Sequence, residues 1–210
     1  MLFGSPSPPV LVGIVVALVV GITFHEFSHA LIADQLGDHQ PRALGRVSLN
    51  PLRHLDPLGA LFFLLAGFGW GKPVPVNAYA LRPGRQGLTM VALAGPVANF
   101  AVAAVVAVLF RVLQLAGLLD ASFPREVLAL IVYFNVALGL FNLIPIPPLD
   151  GYNVVLPLLP PRQAFIAQRY AQYGFVALLI LLVLSYGPGN GPLGWLFGLA
   201  SVIERLLLGV

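Results

Sequence analysis

The sequence predicts an all-α polytopic membrane protein, with about five to six transmembrane segments and a short re-entrant or β-like element between the first and middle helices. Composition is the first reason. Of 210 residues, 59% are hydrophobic and only 9% are charged, whereas a soluble domain carries about a quarter charged residues. Length is the second, because several apolar runs approach the roughly 20 residues that cross a bilayer as a helix. The backbone is the third: lipid offers no hydrogen bonds, so a spanning segment must satisfy its own amides. One membrane domain over residues 1–210 is expected, with a core over about 10–160 and C-terminal helices over about 163–210.

The first apolar run covers residues 10–33. Residues 1–9 contain no cation, so this run is expected to remain as an anchor rather than be removed as a leader. A polar stretch follows to Asp56, and residues 58–70 are apolar but short for a span. Lys72-Pro73-Val74-Pro75-Val76-Asn77 alternates around two prolines and reads as extended chain, either an edge for an extended ligand or a plain connection. Residues 88–118 form a long run broken by Gly95-Pro96, and after a loop at 120–125 residues 127–143 form another. Pro145, Pro147 and Pro148 then remove amide donors and forbid regular helix. At membrane depth such unwinding is tolerated only against protein or a wet cavity. Residues 165–186 and 192–208 complete the set.

The net charge is +3, but the eleven cations are thinly spread, so they read as topology signals and no nucleic-acid partner is expected. Suppose the N-terminus is outside and residues 58–70 are re-entrant. Arg42, Arg46, Arg53, Lys72, Arg82, Arg85, Arg162, Arg169 and Arg205 then share the cytoplasmic face, leaving Arg111 and Arg125 opposite. A full crossing by 58–70 would divide the cations more evenly, so the positive-inside bias favours five spans plus one re-entrant segment. The expectation is a multi-pass protein of the cell (plasma or inner) membrane, with the lipid bilayer as its solvent.

The first run carries His25-Glu26-Phe27-Ser28-His29 in its C-terminal half. Residues four apart share a helix face, so His25 and His29 can reach one metal ion, with Glu26 beside them to take a proton from water. An ionisable residue at the centre of a spanning helix costs at least about 2.5 kcal/mol on insertion scales. A polar face buried against other helices, or a proton path, is the alternative, but this spacing favours a metal. Cysteine is absent, so further ligands must be His, Asp or Glu. Asp34, Asp38, Asp56, Asp120, Glu126 and Glu204 lie at or beyond segment ends, whereas Asp150 follows the proline-stiffened stretch and precedes Gly151. It suits a third ligand, or alternatively the N-cap of a following turn.

Together, His25-Glu26-x-x-His29, Gly95-Pro96-Val97-Ala98-Asn99 and Asn142-x-x-Pro145-x-x-Pro148-x-Asp150-Gly151 resemble the site-2 protease family of intramembrane zinc metalloproteases. Ser48-Leu49-Asn50-Pro51-x-x-His54 and Gly69-Trp70-Gly71-Lys72-Pro73-Val74-Pro75-Val76-Asn77 are similar to runs in its small bacterial and archaeal members, and no PDZ or CBS appendage fits in the chain. The resemblance implies that His25, His29 and Asp150 bind one Zn2+ per chain and that Glu26 is the general base. It also implies that Asn142 engages the substrate backbone or oxyanion, an act suited to an amide donor. The implied partners are proteins with a transmembrane helix, cut in or near that helix at a site toward the cytoplasmic side. Asn99 is a further candidate for substrate binding, or else for close helix packing. His54 and Asp56 read as surface or capping residues, and His39 as a loop residue. Two other readings stand beside the protease: a zinc-binding membrane transporter, and a catalytically silent homologue that binds membrane clients.

Overall fold

Valine and isoleucine are mediocre helix formers in water, yet the runs rich in them are helical here, because a bilayer leaves the backbone no other partner. The computed structural model describes residues 8–66, 69–185 and 188–210. Helix α1 covers Pro8–Gln35 and is followed by a single turn, α2 (Gln40–Ala43). Then come α3 (Pro57–Ala66), α4 (Arg85–Leu115), α5 (Ser122–Asn142), α6 (Asp150–Val155), α7 (Pro161–Tyr170), α8 (Gly174–Ser185) and α9 (Gly194–Leu208). Among the described residues, five stretches are long and apolar enough to cross a membrane: Val10–Gln35, Arg85–Leu115, Ser122–Asn142, Pro161–Ser185 and Gly191–Leu208. The expected all-α polytopic architecture is therefore observed. Residues 1–7, which precede the expected anchor, and residue 186 of the expected 165–186 run lie outside the described residues.

Helices α1, α4 and α5 pack on one another and form the heart of the bundle. Small residues at their seams let the backbones approach, as association in lipid requires. Gly13 of α1 faces Val127 and Leu130 of α5, and Gly21 faces Asn135 and Leu138, so these two helices run parallel. Val91, early in α4, packs with Ala33, late in α1, so α4 runs against both. Ala103, Ala107 and Phe110 of α4 meet Val132 and Val136 of α5 and Ala200 of α9 in the main apolar cluster.

Residues 58–70 do not cross. Helix α3 has ten residues, about 15 Å of rise, half of the roughly 30 Å hydrocarbon core. Leu55 and Gly71 form an antiparallel bridge, Lys72 N donates to His54 O at 2.7 Å, and Gly59 of α3 packs directly on the Trp70 backbone. The segment thus enters and leaves at one place, as a re-entrant element must; its residues 67–68 lie outside the described residues. The β-like element is reduced to that bridge, and no strand occurs among the described residues. The 72–77 stretch is held instead by side chains. Arg46 donates to the carbonyls of Lys72 and Pro73, and Asp38 accepts from Asn77 N at 2.7 Å.

One topological expectation changes. Arg111, near the end of α4, donates through Nε and Nη2 to the carbonyls of Leu207 and Leu206, both at 2.6 Å. These carbonyls belong to the last turn of α9, where an arginine can satisfy groups the helix leaves open. Tyr133, Ser201, Glu204 and Glu126 line one cleft with Val10 of α1. Helix α9 therefore runs in the direction of α4 and ends at the face where α1 begins. Arg205 joins Arg111 and Arg125 there, rather than the larger cation group. The assumption of strict alternation between consecutive apolar runs is what misplaced it.

The chain has no cysteine, so single-cysteine variants read this directly. Leu118→Cys and Val210→Cys, both at exposed positions, should react with a membrane-impermeant maleimide from the same side. Leu44→Cys, also exposed, should react from the other. Labelling of residues 44 and 210 from a common side would disprove the parallel placement of α4 and α9.

Candidate metal centre

His25 and His29 stand one turn apart on α1, with ring centroids 4.6 Å apart and near-perpendicular planes. Both are buried. Their Nε2 atoms converge to 3.0 Å. Asp150 arrives from the other end of the chain, where the prolines that stop α5 turn the backbone and Leu149, in extended conformation, opens α6. Gly151 makes this possible. A Cβ there would lie 2.2 Å from the Leu143 carbonyl oxygen, so only glycine lets the start of α6 tuck beneath the end of α5. Asp150 Oδ2 consequently sits 3.1 Å from His25 Nε2 and 3.3 Å from His29 Nε2.

The protons of this cluster follow from its outer hydrogen bonds. His29 Nδ1 lies 2.7 Å from the Val91 carbonyl, which can only accept, so Nδ1 carries the hydrogen. His25 Nδ1 lies 2.7 Å from Asn99 Oδ1. The amide of Asn99 cannot be reversed, because its Nδ2 donates to the Gly21 carbonyl at 3.0 Å and to Asn135 Oδ1 at 3.1 Å. His25 Nδ1 is therefore also the protonated nitrogen. In the neutral rings both Nε2 atoms then present lone pairs, and they face a carboxylate oxygen that has no hydrogen-bond partner of its own.

Three acceptors pressed together without a proton between them repel unless a cation joins them. The three donor atoms lie within 4.8 Å of one another, with pairwise contacts of 3.0 to 3.3 Å. A tetrahedral site with metal–ligand bonds of about 2.0–2.1 Å separates its ligands by about 3.3 Å. Two imidazoles whose outer N–H groups are held by carbonyls, plus one carboxylate, form a donor set that suits zinc. It leaves a fourth position for water or substrate.

Glu26 is half-buried and follows His25 directly. Its Oε2 lies 3.8 Å from Arg46 Nη2, and its Oε1 abuts Gly71, where a Cβ would lie 3.2 Å away. The re-entrant element thus closes on the motif at its return point. Of the surface or capping role expected for His54, the structure shows the capping one: it ends the 3-10 turn Pro51–Arg53. It is wholly buried, donates from Nε2 to the Ser48 carbonyl at 2.6 Å, and is pushed below its ordinary pKa chiefly by burial. Asp56 does cap α3, accepting from Gly59 N at 2.8 Å. His39 is an exposed loop residue, 3.0 Å from Asp34.

Asn142, the last residue of α5, is half-buried, and its Nδ2 donates to Leu138 O at 3.0 Å in its own helix. Asn99 is a candidate for substrate binding or for close helix packing. It is fully buried, and its side chain bonds His25, Gly21 and Asn135, contacts that favour the close-packing alternative. Two contributors escaped the sequence reading, Asn135 and the reason for Gly95.

Over 178 residues the chain is 37% identical to a Bacillus subtilis protein provisionally named zinc metalloprotease YwhC, an alignment covering 83% of this chain and 81% of that protein. The chain belongs to Peptidase family M50. Residues 117–185 match that family directly. Mycobacterium tuberculosis H37Rv has a relative provisionally named zinc metalloprotease Rip2, 32% identical over 207 residues, which are 94% of this chain and 77% of that protein. No solved structure matches the chain.

Within this M50 chain, Gly95 is where α4 crosses the motif. A Cβ would come within 2.4 Å of His29 Nε2 and 2.7 Å of His25 Nε2, and neither ring is free to swing aside without breaking its Nδ1 bond. Gly95→Ala should weaken zinc binding by at least about 10-fold, the scale on which displaced ligand geometry acts, while the helices still fold. Titration of purified protein with a competing zinc chelator measures it, and wild-type affinity would refute the steric assignment.

Proposed function

We infer that this multi-pass membrane protein is an intramembrane zinc metalloprotease, and propose that His25, His29 and Asp150 hold one zinc ion per chain within a single domain spanning residues 1–210. The observation that carries the reading is the convergence of two imidazole nitrogens and a carboxylate oxygen on one point inside the bundle. Zinc bound there supplies a Lewis acid for a peptide carbonyl and lowers the pKa of an attacking water.

The remaining chemistry belongs to the protein. Glu26 takes a proton from the attacking water and returns it to the leaving amine as the C–N bond breaks, giving a new carboxylate and a new amine. A carboxylate turned toward a buried arginine is held in one orientation for this exchange. The scissile carbonyl of a membrane helix is bonded to its own backbone, so the substrate must unwind locally before it can enter. Asn142, at the mouth between α5 and the proline stretch, is proposed to hold the unwound backbone with its carboxamide. The substrates proposed are membrane proteins cut in or near a transmembrane helix.

The orientation proposed puts the site toward the cytoplasm. Arg42, Arg46, Arg53, Lys72, Arg82, Arg85, Arg162 and Arg169 gather at the motif end of the bundle, against Arg111, Arg125 and Arg205 at the other, and the positive-inside bias supports this sense. His25 lies ten residues before the end of α1, about 15 Å along its axis, so water needs only a shallow path from that face.

Glu26→Gln should lower cleavage of a transmembrane reporter by about 10²–10⁴-fold, the range for loss of a general acid–base group, with zinc content unchanged. Asp150→Ala should lose zinc and cleavage together. Retained cleavage in Glu26→Gln would sink the assignment of the base, and full zinc in Asp150→Ala would sink the ligand set.

A further inference from the structure

Asn135 begins a chain of side chains running from α5 through Asn99 to the proposed metal ligand His25. Its Nδ2 donates to the Ile131 carbonyl at 2.9 Å, so its Oδ1 must face outward as an acceptor. That oxygen receives Asn99 Nδ2 at 3.1 Å, and Asn99 Oδ1 receives His25 Nδ1 at 2.7 Å. Both asparagines are fully buried, where no water can replace a lost partner. The Gly21 carbonyl binds one hydrogen of the Asn99 amide, and Asn135 binds the other. Two acceptors on two different helices fix the plane of the amide, whereas one would leave it free to tilt.

We propose that Asn135 is a positioning residue for the metal centre: through Asn99 it sets the plane and protonated nitrogen of His25, and so aims the His25 lone pair at the metal. This deepens the zinc-site reading above and rests on it. The bland alternative is that Asn135 only joins α5 to α4, as polar residues do in membrane bundles. The two differ in what a substitution changes. Helix glue affects stability, whereas a positioning residue affects the metal.

The test uses full-length protein in detergent or proteoliposomes, with zinc alone as the first probe and cobalt as the second. Asn135→Ala and Asn135→Leu remove the acceptor and should weaken zinc affinity by about 10–100-fold, as removal of an outer-shell partner does. They should also alter the visible absorption of the cobalt-substituted protein, which reports ligand geometry rather than fold. Asn135→Asp keeps an oxygen facing Asn99 and should stay within about threefold of wild type. If Asn135→Leu does not fold against Gly21, Asn135→Ala, which adds no bulk there, decides the matter. Wild-type zinc affinity and an unchanged cobalt spectrum in the acceptor-less variant, with only a lower unfolding temperature, would overturn the proposal. So would an Asn135→Asp protein as impaired as Asn135→Ala. Should wild type itself take up no zinc, the metal-site reading fails first, and that result is distinct from either.

Discussion

Two imidazole nitrogens and a carboxylate oxygen meet within 3.0 to 3.3 Å, while each ring is held from its other nitrogen by an outer hydrogen bond. In water this crowding would relax by admitting solvent or a proton. Inside an apolar bundle it persists because each group is tied elsewhere: His29 to α4 through Val91, His25 to α4 and α5 through the asparagine pair, and Asp150 to the end of α5 through the tuck at Gly151. The helix packing and the charge arrangement are thus one constraint. Gly95 shows the link most directly, since the spacing of α1 and α4 that accommodates the two rings leaves no room for a methyl group.

The irregular backbone follows the same logic. A membrane protein tolerates broken helix only where protein or water receives the exposed amides. Among the described residues, non-helical backbone meets the candidate site at residues 143–149 and around the 71–73 return of the re-entrant element. The first carries Asp150 to the histidines. The second brings Gly71 against Glu26, and its carbonyls at Lys72 and Pro73 are taken by Arg46. Both departures from helix therefore serve groups of the candidate site, which is where a lipid-embedded fold can accommodate them.

Much of this was legible in the sequence, for identifiable reasons. His25 and His29 declare themselves by a four-residue period inside an apolar run, and Asp150 by being an acid set after three prolines rather than at a helix end. The re-entrant element was legible from length and from cation distribution. What escaped depends on tertiary partners. Asn99 looked available to a substrate because the sequence does not say that Gly21 and Asn135 consume its hydrogens. Arg205 was misplaced because charge counting assumes that successive apolar runs alternate, and only the bonds from Arg111 to the end of α9 reveal a parallel helix. His54 sits among turn-forming residues, which suggests a surface, but the re-entrant element folds over it.

Magnitudes bear on why two asparagines should sit in the centre of the bundle. A hydrogen bond between membrane helices averages only about 0.6 kcal/mol, because the separated helices also find partners. Two such bonds contribute about 1 kcal/mol, little compared with the apolar contacts of α4 and α5, and apolar side chains packed there would supply comparable cohesion without polar groups to desolvate. An outer partner of a metal ligand, by contrast, is worth about 10–100-fold in affinity, or about 1.4–2.7 kcal/mol. Arg46 fits the same comparison. Burying a guanidinium beside a carboxylate 3.8 Å away is a poor source of stability. Its two bonds to the return of the re-entrant element nevertheless mean that this segment cannot move without stripping a buried charge of its partners next to Glu26. The polar groups of the bundle interior are thus better explained by what they hold in place than by what they add to the fold.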